Sequence, residues 1–85
     1  MPAFPPKVGQ IVRATHVITL KGNAHISVLS SAAPLTLAKG TEAEIIDVQP
    51  MHIDLNCKDG PHAGGLAAWG LRIRVAKVVW GTSFE

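Results

Sequence analysis

The sequence predicts one small all-β domain, and three observations carry that prediction. Apolar and polar residues alternate with a period of two along most of the chain, which is the mark of half-buried strands. The alternating runs are short, and Gly, Pro or Asn signals separate them, as in small all-β proteins. No segment keeps a helical period. A chain of 85 residues has room for a single core.

Each element follows in order. Residues 1–9 carry Pro2, Pro5 and Pro6 and read as an extended tail, with Gly9 turning the chain inward. Between Gln10 and Leu20 lie one or two strands: Val12, Ala14, His16, Ile18 and Leu20 share the inward parity, and Arg13, Thr15 and Thr19 the outward one. Lys21-Gly22-Asn23 is a turn signal. His25–Ser30 and Leu35–Ala38 are short extended pieces, and Lys39-Gly40-Thr41 is a second turn. Glu42–Gln49 is the clearest strand, ended by Pro50. Met51–Cys57 alternates again, with Met51, Ile53, Leu55 and Cys57 against His52, Asp54 and Asn56. Lys58-Asp59-Gly60-Pro61 is a turn. His62–Gly70 is too short and glycine-rich for a stable helix and reads as a loop ending in one 3₁₀ turn. Leu71–Val79 is the last strand, its Leu71, Ile73 and Val75 inward. The expected organisation is therefore a tail (1–9), one domain (10–81) and a C-terminal tail (82–85).

Composition narrows the function classes. Hydrophobic residues make up 47% and charged residues 16%, below the usual ~25% charged, so the chain is expected to fold. Its apolar excess is either surface left for a partner or Ala and Val that sit on the surface without consequence. Eight basic against six acidic residues give a net charge of +2, too little to demand nucleic acid. The single cysteine, Cys57, forms no internal disulfide. The first residues lack the apolar run of a signal peptide, and no stretch reaches the ~18 apolar residues of a membrane span. These features point to a cytoplasmic protein without membrane contact.

The stretch from Leu37 to Val75 resembles the second half of an SH3-like domain. Leu37, Lys39, Gly40 and Thr41 precede the inward pair Ala43 and Ile45. Met51–Cys57 resembles the hairpin strand, Gly65–Trp69 the 3₁₀ turn, and Leu71–Val75 the last strand. The resemblance implies a small five- to six-stranded SH3-like barrel. Relatives that bind Pro-rich peptides use an aromatic groove. This chain has no Tyr and only Phe4, Trp69, Trp80 and Phe84. Ala68 stands where the groove proline would be.

Few residues suggest chemistry. No catalytic set, metal site or cofactor is expected. His52-x-Asp54-x-x-Cys57 holds ligand-type residues, but strand parity puts His52 and Asp54 on one side and Cys57 on the other, short of the four ligands of a structural zinc site. His62 lies just past the turn. Cys57 shares the apolar parity and reads as a buried thiol. His16 is either a hydrogen-bonded core histidine or a pocket residue. The favoured ligand region is the loop with His62, Gly64, Gly65 and Trp69, joined by His16; Trp69 either offers a stacking face or plugs the barrel end. Arg13, Arg72, Arg74 and Lys77 form a basic set suited to phosphates, or, for Arg72 and Arg74, a solubilising edge. Val75–Trp80 is β-prone with one charge and reads as an edge open to self-pairing.

Three functions are therefore expected in order: a non-enzymatic binding or adaptor module that self-associates or binds protein through Val75–Trp80 and the Gly/Trp loop; a nucleic-acid-binding barrel; and a small oligomeric enzyme with a pocket between subunits.

Overall fold

The computed structural model describes residues 5–30, 35–57 and 71–85. Among them are seven strands and one short helix: β1 (Ile11–Arg13), β2 (Ile18–Thr19), β3 (Ile26–Val28), β4 (Thr36–Leu37), β5 (Glu42–Val48), β6 (His52–Cys57), β7 (Leu71–Ala76) and α1 (Lys77–Ser83). The fold is all-β in character. One antiparallel sheet has the order β1-β5-β6-β7-β3, and β2 and β4 form a separate two-stranded ribbon. The described strands do not close into a barrel, because β1 and β3 stand at opposite ends of the order.

The alternation seen in the sequence is what builds the core. One face of the sheet carries Val12, Ala43, Ile45, Ile53, Leu55, Cys57, Ile73 and Val75, each at most 1% exposed. Ala14, Ile26 and Leu71, Ile18, Leu20 and Leu37 from the ribbon and its approaches, and Trp80 and Phe84 complete the same cluster. Fully burying one such aliphatic side chain is worth about 1.5–3 kcal/mol. Cys57 is buried as its parity implies.

Two departures from strict alternation have local causes. The ladder between β5 and β6 shifts register between Ile45 and Asp47. Ile46 is outward by parity and exposed; the bulge keeps Asp47, opposite Asp54, outward as well and brings Val48 to the core side, so the inward parity switches partway along β5. The second departure is His16. Its expected inward position is corrected: the chain bends at Thr15-His16, β1 ends at Arg13, and the His16 side is exposed.

The C-terminal region also corrects the sequence reading. The last strand was expected to run to Val79, yet it ends at Ala76 and Lys77–Ser83 is helical. Residues 75–80 are therefore not an open edge: β7 lies between β6 and β3, and the chain then leaves the sheet. The reason is packing. The helix buries Trp80 and Ser83, and Trp80 stacks on Phe84 with ring centroids 5.4 Å apart and planes at 22°. Offset stacking of this kind adds to the area buried. Tertiary contact thus outweighs the low helix propensity of Val78, Val79, Gly81 and Thr82.

Residues 82–85, expected as a tail, belong to the packed domain. Phe84 is fully buried and bridges to Ala14. The Arg13 N–H donates to the Glu85 carbonyl at 2.8 Å, and the Glu85 N–H returns to the Arg13 carbonyl at 2.9 Å. Phe84 and Glu85 therefore lie along the outer margin of β1 at its Arg13 end.

Candidate functional site

A cleft of about 380 Å³ opens where the 15–26 segment meets α1, lined by His16, Val17, Ile18, Thr19, Asn23, His25, Ile26, Val79, Thr82 and Ser83. Its volume falls in the range of small-ligand and peptide pockets. The cleft depends on two local devices. Gly22 adopts φ 71°, a left-handed conformation that glycine takes without strain, and turns the chain after β2. Asn23 then fixes the return: its side-chain N–H donates to the Thr19 carbonyl at 2.8 Å, and its side-chain oxygen accepts the His25 backbone N–H at 2.8 Å. Asn23 thus shapes the wall that presents His25.

His16 is held by a hydrogen-bond chain whose direction can be worked out. The Thr15 hydroxyl donates its one proton to the Thr82 carbonyl at 2.5 Å. It lies 2.9 Å from His16 Nδ1 and has only lone pairs left for that contact. Nδ1 therefore carries the proton and donates, and in the neutral ring Nε2 is left as the acceptor. The Thr82 hydroxyl is engaged with the Val79 carbonyl at 3.2 Å. What the cleft offers a ligand is the acceptor Nε2 of His16, the ring of His25, the hydroxyls of Thr19 and Ser83, and an apolar surface from Val17, Ile18, Ile26 and Val79. Among the described residues, the lining contains no carboxylate and no thiol.

His52 and Asp54 do face the same side of β6, as parity requires, with Nε2 of His52 3.8 Å from the Asp54 carboxylate. The carboxylate is committed elsewhere. Arg74 reaches it with two donors, Nε at 2.9 Å and the terminal nitrogen at 3.2 Å. That hydrogen bond first, and the Asp54 charge second, raise the Arg74 pKa. Asp54 is 7% exposed beneath this pair. Cys57 sits on the opposite, buried face, and no group of three metal-ligating side chains is found among the described residues.

The expected basic set is divided by acidic residues. Arg13 pairs with Glu42 at 2.9 Å and Arg74 with Asp54. The strands between β1 and β7 carry Glu44, Asp47 and Asp54. Arg72 stands on the outer side of β7 and Lys77 opens α1, both exposed. These four cations do not form one concentrated face. His62, Gly64, Gly65 and Trp69 lie outside the described residues, as does the expected 3₁₀ turn at Gly65–Trp69. The structure brings His16 together with His25, Thr19 and Ser83, which the sequence reading did not single out. The signal available was the Lys21-Gly22-Asn23 turn, which folds His25 back toward the segment holding His16.

Comparison with protein-family models, with curated proteins and with solved structures finds no match to this chain. No described helix is long and apolar enough to cross a membrane.

Proposed function

We propose that this chain is a non-enzymatic binding module whose ligand sits in the cleft between the 15–26 segment and α1. The observation that carries the reading is the cleft itself: two imidazoles and two hydroxyls above an apolar floor, on a wall fixed by Gly22 and Asn23. Such a lining suits a short uncharged peptide segment, with apolar side chains against Ile18, Ile26 and Val79 and a donor directed to His16 Nε2. Among the described residues, the lining offers no carboxylate or thiol, the groups that acid–base or nucleophilic work would most simply use. A nucleic-acid role has less support, because Arg13 and Arg74 are already paired with Glu42 and Asp54.

An SH3-like relationship is part of the same proposal, with the correspondence moved along the chain. The meander β5-β6-β7, then the turn of helix at Lys77–Ser83, then the bridge of Phe84 to β1 support it. In this alignment Leu71–Ala76 is the third meander strand and Phe84-Glu85 the last strand.

The test is selection from a displayed library of random peptides. Peptides that bind the wild-type chain are expected to bind His16→Ala and His25→Ala at least about tenfold more weakly, a difference near 1.4 kcal/mol, while Arg13→Ala changes nothing. Selected peptides whose binding is indifferent to both histidines would overturn the cleft assignment.

A further inference from the structure

Among the described residues, β3 is the margin of the sheet with no strand on its outer side. It has one neighbour among the described residues, β7, in the register Ile26↔Val75, Ser27↔Arg74 and Val28↔Ile73. The flanking bonds show which residues turn toward β7: the Ala76 N–H donates to the His25 carbonyl and the Leu29 N–H to the Arg72 carbonyl, each at 2.8 Å. Residues 25, 27 and 29 therefore face β7. By alternation, the N–H and C=O groups of Ile26 and Val28 point away from the sheet. Natural edge strands are usually blocked by a Lys, a Pro, a bulge or a covering segment. His25-Ile26-Ser27-Val28-Leu29 contains no Lys and no Pro, and its ladder to β7 runs without a register shift.

We infer that β3 pairs antiparallel with β3 of a second copy of this chain, about a two-fold axis at Ser27. The strand is self-complementary in this register. Ile26 of each copy exchanges both backbone hydrogen bonds with Val28 of the other, so every outward group of the strand is used. Axes at Ile26 or Val28 would instead need Ala24 or Ser30, which lie outside the strand. Ser27 meets Ser27 in the close, non-hydrogen-bonded pair of the ladder, where a small, uncharged and exposed side chain is what fits. Leu29, 41% exposed, comes to lie opposite His25 of the other copy. Because His25 lines the cleft, the second copy adds an apolar residue to that wall. The pairing does not depend on the cleft having a ligand.

Size-exclusion chromatography with light scattering over a dilution series tests it. The wild-type chain should show twice the 9.0 kDa of one copy, dissociating on dilution. Ser27→Lys places two like charges directly opposite across the axis and should give a monomer, as should Ser27→Glu. Mixed in equal amounts, the two variants should form a heterodimer, which also shows that both are folded. Val28→Pro removes an outward donor while leaving the β7 ladder intact, and should give a folded monomer by circular dichroism. A wild-type chain monomeric at every concentration would overturn the inference and leave β3 to a different protein. Variants that stay dimeric would overturn it too. In either case peptide selection on the cleft is read separately.

Discussion

The two margins of the five-stranded sheet are finished in different ways. At β1 the chain's own C-terminal residues lie against the strand: Phe84 bridges to Ala14, and Arg13 and Glu85 exchange backbone hydrogen bonds. At β3 no described element follows, and the strand borders a cleft instead. The β1 margin is closed at its Arg13 end, where Phe84, stacked on Trp80, anchors the segment that pairs with it. Among the described residues, the β3 margin has no strand on its outer side, where the backbone groups of Ile26 and Val28 point. The difference teaches that in a domain this small one stretch, residues 77–85, decides which edge is structural and which is available.

Substitutions can break or sharpen that contrast. The largest effect is expected at Phe84, which is fully buried: Phe84→Ala should cost about 3–5 kcal/mol in chemical denaturation. A loss below about 1 kcal/mol would mean that the β1 margin is not held by this ring. Next is Gly22, on the cleft side. Its φ of 71° is costly for any residue with a Cβ, so Gly22→Ala should lose about 1–2 kcal/mol, although a Cβ there meets nothing within 4 Å. Gly81 is the opposite case. It lies in α1, its Cβ would also meet nothing within 4 Å, and Gly81→Ala should gain about 0.5–1 kcal/mol. Equal signs for the two glycines, read from thermal melts, would contradict the turn and helix described here. The smallest effect belongs to Arg13→Ala. Arg13 and Glu42 form a solvent-exposed pair, worth about 0.2–1 kcal/mol, and the β1 margin should stay closed without it.

Much of the core was legible in the residues. Val12, Ala14, Ile18, Leu20, Ala43, Ile45, Ile53, Leu55, Cys57, Leu71, Ile73 and Val75 all lie on the side their parity assigned, because burial of one sheet face is written as a period of two. The helix was not legible as one. Lys77–Ser83 is rich in β-branched residues and holds a glycine, so local propensity pointed to a strand. The pattern Val79, Trp80, Ser83, Phe84 repeats its inward positions at helical spacing, but over too few residues to outweigh that propensity. His16 was misplaced for a related reason: parity counts through a bend as if the strand continued. The cleft was only partly legible. His16 was singled out, while His25, Thr19 and Ser83 reach it through a turn and a helix that strand parity does not register.

The contrast between the margins is tested most directly by amide hydrogen exchange at Arg13, Ile26 and Val28, measured at low and high protein concentration. The Arg13 amide, bonded to the Glu85 carbonyl, should be protected equally at both. Ile26 and Val28 should exchange fast when dilute and become protected as concentration rises. Protection of Ile26 and Val28 that is already present when dilute, or that never changes with concentration, would contradict an open β3 margin that pairs with its own copy.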